Sequence, residues 1–201
     1  SGHVIGHSFG ATVALRVAMQ VPDKVRTLTL IEPVLFAAAQ NSVPKAFDTY
    51  RHSEKAFGTA LAAGDFVTAA QAFTKVWGDS RPWDTLSERE RTLFASQMPF
   101  IQETEGTLMQ DSAELLRPGG LEAISCPTLL VRGENTNPVI AAIHSTLCAR
   151  IKSAREVVVP EAGHMVPITH PQQVAVQIRG MLDTVSTSNP CNLDGAGPST
   201  A

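Results

Sequence analysis

Apolar and polar positions follow two different rhythms along this chain. Near the start, "HVIG" and "VRTLTLI" are short runs dominated by β-branched and aliphatic residues, too brief for helices and bounded by Gly or Pro, which reads as buried strand. Between them, after a Gly-flanked turn, the chain reads as an apolar-faced helix that ends near Pro22. This strand, helix, strand unit has a crossover long enough to join a parallel pair, an arrangement that puts helices on the faces of the sheet. From about Phe36 to Gly119 the β-branched runs vanish. Ala, Phe and charged residues recur there at helical spacing, as in "KAFDTYRHSEKAFGTALAAG" and "DFVTAAQAFTKVWG". "LSERERTLFASQMPF" opens with a capping box, because the Ser87 hydroxyl can accept from an early amide while Glu90 reaches back to the Ser87 amide. Pro118, Gly119 and Gly120 end the helical regime. The first rhythm then returns: "PTLLVRG" as strand, "PVIAAIHSTLCARI" as helix, "AREVVVP" as strand, and "HPQQVAVQIRGMLDTV" as a last helix with Pro171 in its first turn.

The pattern predicts an α/β chain with a mainly parallel sheet flanked by helices, built from residues 1–35 and 120–185, with a helical insertion over 36–119. Residues 186–201, "STSNPCNLDGAGPSTA", hold almost nothing to bury and read as a disordered tail. With 43% hydrophobic residues in 201, the chain can bury a sizeable core. A net charge of -3 without a long run of either sign argues against a nucleic-acid partner or an anionic membrane surface and leaves a small molecule as the expected ligand. No apolar stretch approaches the roughly 18 residues that span a bilayer. Cys126, Cys148 and Cys191 form neither a CxxC pair nor an even disulfide framework, which favours a reducing compartment such as the cytoplasm and argues against metal chelation. No Met opens the chain and a strand pattern begins almost at once, so the sequence reads as an N-terminally truncated piece.

Chemistry enters at Gly6-His7-Ser8-Phe9-Gly10, a G-x-S-x-G pattern at a strand-to-helix junction. Its turn is expected to be so tight that side chains in place of either glycine would collide. Such a turn lifts the Ser8 hydroxyl above the sheet and aims the Phe9 backbone amide at a developing oxyanion. A serine hydroxyl needs a base, since alone it is a weak nucleophile at neutral pH. His164, in "VVVPEAGHMVP", lies in a loop just past the last strand, and parallel strands deliver their C-terminal ends to one rim. His7 belongs to the turn itself, His3 to a strand, His52 and His144 to helices, and His170 to the start of the last helix, and these five read as structural.

The elbow, the apolar strands, the helical insertion and "GHMVPITHP" together resemble the α/β-hydrolase family, over residues 1 to about 185 and from the family's nucleophile strand onward. The resemblance implies Ser8 as nucleophile, His164 as general base and then acid, a carboxylate that orients the imidazole, and residues 36–119 as a cap over the site. It implies no cofactor and no metal. The family's first strands and the loop giving a second oxyanion amide have no counterpart here, so the chain as given is expected to leave the Ser8 strand as an exposed edge and to be inactive or poorly folded alone.

The acid is where this chain departs from its resemblance. In "VRGENTNPVI", many relatives carry an Asp three residues after the Gly, where this chain has Thr136, which cannot carry the charge that stabilises an imidazolium. Glu32 directly follows "TLTLI" and so sits at the same rim, one strand from Ser8, in the order nucleophile, acid, base. Glu134 competes, two residues nearer the strand end than Thr136, with its side-chain direction unsettled. Glu161, three residues before His164, reads as a loop position facing solvent. Glu32 is the favoured acid.

In the insertion, Trp77, Trp83, Phe94, Met98 and Phe100 are candidates for an apolar pocket, against the plainer reading that they pack as core. The expected activity is hydrolysis of a small apolar ester or related carbonyl compound through an acyl-enzyme. The alternatives are an inactive remnant or a small-molecule binder on the same scaffold.

Overall fold

A computed structural model describes residues 1–187. Four strands, β1 (Gly2–His7), β2 (Val25–Ile31), β3 (Thr128–Gly133) and β4 (Ala154–Val159), form one sheet in the order β1-β2-β3-β4, every neighbouring pair parallel. Strand alternation sends Leu28, Leu30 and Leu130 to one face and Ile31, Leu129 and Val131 to the other. Helices α1 (Phe9–Gln20) and α7 (Pro138–Arg150) cover the first face through Leu15, Ile140, Ile143 and Leu147. Helix α9 (Pro171–Thr187) covers the second through Val174 and Met181. Central strands buried on both faces explain why β2 and β3 read as continuous apolar runs. The α/β layering expected from the sequence is what forms. A one-turn helix, α8 (Val166–Thr169), was not legible beforehand; Pro167 in its first turn and the His170 amide bonding to the Val166 carbonyl set its limits.

Five helices separate β2 from β3: α2 (Ala37–Ser42), α3 (Pro44–Ser53), α4 (Lys55–Ala62), α5 (Phe66–Trp77) and α6 (Glu88–Gln110). The Ser87 box forms as read: Ser87 Oγ accepts from the Glu90 amide at 3.3 Å and a Glu90 oxygen accepts from the Ser87 amide at 2.8 Å. Helix α6 runs through Pro99 and stops at Gln110, well before Pro118, because Asp111 adopts a left-handed φ of 52° and its carboxylate accepts from the Leu115 and Leu116 amides. Ala60, Leu61, Ala69, Ala70 and Met98 give α4, α5 and α6 a small core of their own. Among the described residues no helix is long and apolar enough to cross a membrane. Residues 188–201, most of the stretch read as a disordered tail, lie outside the described residues.

Parallel strands bring their C-terminal ends to one rim. Ser8 follows β1, Glu32 follows β2, Glu134 follows β3, and the loop carrying His164 follows β4. Strand β1 is one edge of this sheet, with Ile5 50% exposed.

Candidate active site

Ser8 stands between β1 and α1 with φ 57° and ψ -124°, a strained combination for a residue with a side chain that costs on the order of 1–3 kcal/mol. The strain is held by neighbours: the Ser8 amide donates to the Ile31 carbonyl at 2.9 Å, and the Ser8 carbonyl accepts from Ala11 at 3.0 Å. Serine at a helix N-cap ordinarily spends its hydroxyl on the first-turn amides. Here the side chain caps nothing, which leaves Oγ free for chemistry. A Cβ at Gly6 would lie 2.2 Å from the Gly10 carbonyl oxygen, so that glycine is required by the crossing of strand and helix. The expectation fails at Gly10, where an added Cβ meets nothing within 4 Å. The crowding is one-sided: it is Gly10's backbone, not its missing side chain, that presses on residue 6. The Phe9 amide opens α1, where helix geometry provides no intrahelical acceptor and the dipole favours negative charge.

His164 is 5% exposed and Glu32 is 0% exposed. His164 Nε2 lies 3.0 Å from Ser8 Oγ, and its Nδ1 lies 2.9 Å from Glu32 Oε2. A carboxylate oxygen accepts, so Nδ1 carries the proton and Nε2 is left to accept from the serine hydroxyl. Three residues drawn from the ends of three elements, 132 and 156 positions apart from His164 in the chain, thus form one hydrogen-bonded relay.

The Glu32 carboxylate is held from two further directions. The Gly133 amide donates to Oε1 at 2.7 Å, and the Thr136 hydroxyl donates to Oε2 at 2.6 Å. Thr136, read only as a vacancy where an acid was expected, thus donates a hydrogen bond to the Glu32 carboxylate. An offset of three residues after the strand-ending Gly was the available signal. Glu32 itself has φ 51°, a second non-glycine residue in the left-handed region, and its amide donates to the Val131 carbonyl at 2.9 Å. Glu134 turns away: its Oε2 accepts from the Glu161 amide at 3.1 Å. Gly133 allows the His164 loop to approach, since a Cβ there would lie 2.2 Å from the Ala162 carbonyl oxygen.

His7 does more than fill space beside the elbow. Its Nε2 lies 2.9 Å from the His164 carbonyl, which can only accept, so Nε2 is protonated. The rings of His7 and His164 are 5.1 Å apart, and burial holds the His7 imidazole below its ordinary value of 6.5, keeping it the neutral donor this bond uses. His3 pairs with Thr27, His144 with Glu156 and His170 with Thr169.

On the helical side, Trp77 meets the His164 ring edge-on at 4.8 Å. Phe100, 58% exposed, packs edge-on against Phe9 at 5.5 Å. Trp83, Phe94 and Met98 pack instead in the core shared by α4, α5 and α6. None of these five aromatic and Met candidates lines a cavity of about 970 Å³ between α3, α4 and α6, whose walls include neither Ser8 nor His164. Helical spacing marks an apolar face without saying whether that face meets a neighbour or a void.

Comparison with known proteins identifies the family of the fold. The sequence profile described as alpha/beta hydrolase fold matches residues 1–171. Lipase LipV of Mycobacterium tuberculosis is 29% identical over 187 residues, 89% of this chain and 67% of that protein. Pimeloyl-[acyl-carrier protein] methyl ester esterase of Aeromonas hydrophila is 27% identical over 177 residues, 85% of this chain and 66% of that protein. The chain therefore spans about two thirds of the length of these two relatives. Among solved structures, a putative lipase from Acinetobacter baumannii superposes with a TM-score of 0.62 at 21% identity, over 93% of this chain and 62% of that one, a likeness of fold.

Proposed function

The chain belongs to the α/β-hydrolase fold family, and from that premise we propose that it is a serine hydrolase acting on a small, rather apolar ester or related carbonyl compound through an acyl-enzyme. The observation that carries this reading is the relay Ser8 Oγ, His164 Nε2, His164 Nδ1, Glu32 Oε2 at 3.0 and 2.9 Å. As His164 Nε2 takes the hydroxyl proton, Ser8 Oγ adds to the carbonyl carbon and the carbonyl π pair moves to its oxygen. The Phe9 amide, first in α1 and without an intrahelical acceptor, is the donor that stabilises that charge in this reading. Collapse of the tetrahedral species expels the alcohol, which leaves with the proton from His164. Water then repeats the sequence on the acyl-serine, giving the carboxylic acid and restoring Ser8. Glu32 keeps the imidazole in the tautomer this requires and stabilises the imidazolium that forms in each half-reaction.

The apolar surroundings of the relay, with Trp77 against His164 and Phe100 against Phe9, favour an uncharged acyl group. Two relatives bear names of ester-cleaving enzymes, a lipase and a methyl ester esterase, which supports an ester as the bond cleaved. The free thiols Cys126 and Cys148 fit work in a reducing compartment such as the cytoplasm.

Hydrolysis of p-nitrophenyl acyl esters, with a p-nitrophenyl phosphonate as covalent probe, tests the proposal. A phosphonate adduct at Ser8 and a fall in turnover on the order of a thousandfold or more in Glu32→Gln are the expected results. A folded protein that takes no adduct at Ser8 is a non-catalytic member of the fold, and unchanged turnover in Glu32→Gln removes that residue from the relay.

A further inference from the structure

The cavity between α3, α4 and α6 has a chemistry of its own. Its volume, about 970 Å³, is at the upper end of what encloses a small organic ligand. Phe36 and Tyr50 line it and stack on each other at 4.4 Å with their planes 19° apart. Both rings touch Trp77, at 5.8 and 6.0 Å, and Trp77 in turn meets His164. The cavity thus lies against one side of an aromatic cluster whose other side is the catalytic imidazole.

One charged group is set apart from the rest of the lining. Glu54, at the junction of α3 and α4, is half-buried, while the cavity's other charged residues are exposed at its rim. Among the described residues no lysine or arginine nitrogen forms an ion pair with it. Burial pushes the Glu54 carboxyl up to about 7, with the Trp77 indole N–H acting in the opposite direction. Burial also raises the Tyr50 hydroxyl, with the charges of Glu54 and then Glu105 acting in the same direction; Glu54 lies one helical turn beyond Tyr50, its amide donating to the Tyr50 carbonyl at 3.0 Å, and both residues line the cavity. A carboxylate removed from water and left without a cation, next to aromatic rings, is complemented by an organic cation, which satisfies the charge and the rings together.

We propose that this cavity binds an alkylammonium ligand, its cationic head between the Glu54 carboxylate and the Phe36–Tyr50 stack. The rim supports the sign of that choice: Asp48 and Glu105 offset Arg51 and Lys55, so the inner carboxylate sets the field. The site is separate from Ser8, and its occupancy does not depend on the hydrolase reading.

Choline is the probe of choice, because its charge does not change with pH, and 3,3-dimethylbutan-1-ol is its uncharged isostere. Isothermal titration calorimetry at pH 8 is expected to show choline binding at least about tenfold tighter than the isostere. Glu54→Gln should remove that preference, and Ser8→Ala should keep it. Gly58, where an added Cβ meets nothing within 4 Å, lines the same cavity from α4, and Gly58→Phe should abolish binding by filling it while leaving Glu54 in place. Choline affinity in the unaltered protein should rise from pH 6 to pH 8 as Glu54 loses its proton. The titratable and charged groups that line the cavity with Glu54 are Asp48, Tyr50, Arg51 and His52 from α3, Lys55 from α4 and Glu105 from α6, and Trp77 from α5 hydrogen-bonds to it. Glu54→Gln keeps every other group around the cavity, His52 included, so the slope lost in that variant belongs to Glu54. Equal affinity for choline and its isostere, no measurable choline binding, an unaltered preference in Glu54→Gln, or tighter binding of acetate than of choline would each overturn the proposal.

Discussion

The strand rim and the helical segment hold their residues in place by different means. At the rim the backbone does the positioning: Ser8 and Glu32 both sit at positive φ, each tied by its amide to the carbonyl of a neighbouring strand. Two glycines, Gly6 and Gly133, allow contacts that a single methyl group would block. Around the cavity, side chains do the work: stacked rings, a carboxylate without an ion-pair partner among the described residues and a helix glycine with open space beside it. Backbone placement is rigid to within a bond length, whereas side-chain placement tolerates repacking. Substitutions at the rim should therefore be felt first in turnover, and substitutions in the helical segment first in stability or binding.

Gly133→Ala tests the rim hardest. The new Cβ would stand 2.2 Å from the Ala162 carbonyl oxygen and 2.7 Å from that of Gly163, and backbone cannot rotate away as a side chain can. The loop must retreat and carry His164 with it. Ester turnover should fall on the order of a hundredfold, since a misplacement near 1 Å is enough for that, with a loss of about 1–3 kcal/mol in denaturant unfolding. Full turnover in this variant would show that the loop is as adaptable as the helices, and the contrast would collapse.

Thr136→Val comes next. It keeps the shape of the side chain and removes the 2.6 Å bond to Glu32 Oε2, while the Gly133 amide and His164 remain in place. A hydrogen bond to a charged group contributes about 1.5–3 kcal/mol, part of which the remaining donors recover, so turnover should drop about tenfold. If Glu32 only fills space, steady-state kinetics will show no change.

The same division explains what could be read in advance. Backbone-determined features leave marks at fixed offsets: the glycine two residues before Ser8, the strand-ending Gly133, and Thr136 three residues further on. Those marks led to Ser8, His164 and Glu32, and the apolar run "VRTLTLI" coincides with β2 from Val25 to Ile31. Side-chain-determined features leave none. Trp83, Phe94 and Met98 pack in the core of α4, α5 and α6 together with Phe57, yet of these four Phe57 alone also lines the cavity. Asp111 ended α6 through a left-handed φ and two amide bonds that no Gly or Pro announced. His7 was placed beside the elbow, but its bond to the His164 carbonyl joins residues 157 positions apart, beyond any local pattern.

Glu54→Gln probes the helical segment through pH. The carboxyl's ordinary value is 4.5 and burial raises it to about 7, so the folded protein holds this proton more tightly than the unfolded chain does. The stability it contributes is complete below 4.5 and is lost as pH rises through about 7. At pH 8 the unaltered protein therefore carries an unpaired, half-buried charge that Gln lacks. Glu54→Gln should be the more stable by about 1 kcal/mol at pH 8, and the two should converge towards pH 5. Thermal melts across that range measure it, and parallel curves would mean that a cation pairs with Glu54 in solution.

The smallest effect belongs to Gly58→Ala and asks whether the helical segment is really the looser of the two. Gly58 lies inside α4, between Lys55 and Ala62, without the positive φ that would require glycine, and an added Cβ meets nothing within 4 Å. In an exposed helix interior glycine is less favourable than alanine, because the unfolded chain has more freedom to lose. The substitution should raise stability by roughly 0.5 kcal/mol and leave ester turnover unchanged, the reverse in both respects of Gly133→Ala. One added methyl group thus separates the two regions: at Gly133 it meets a carbonyl oxygen that has no room to move, and at Gly58 it meets open space. A destabilised Gly58→Ala protein would show that α4 is packed as closely as the rim, and the division between backbone and side-chain placement would have to be redrawn around the cavity.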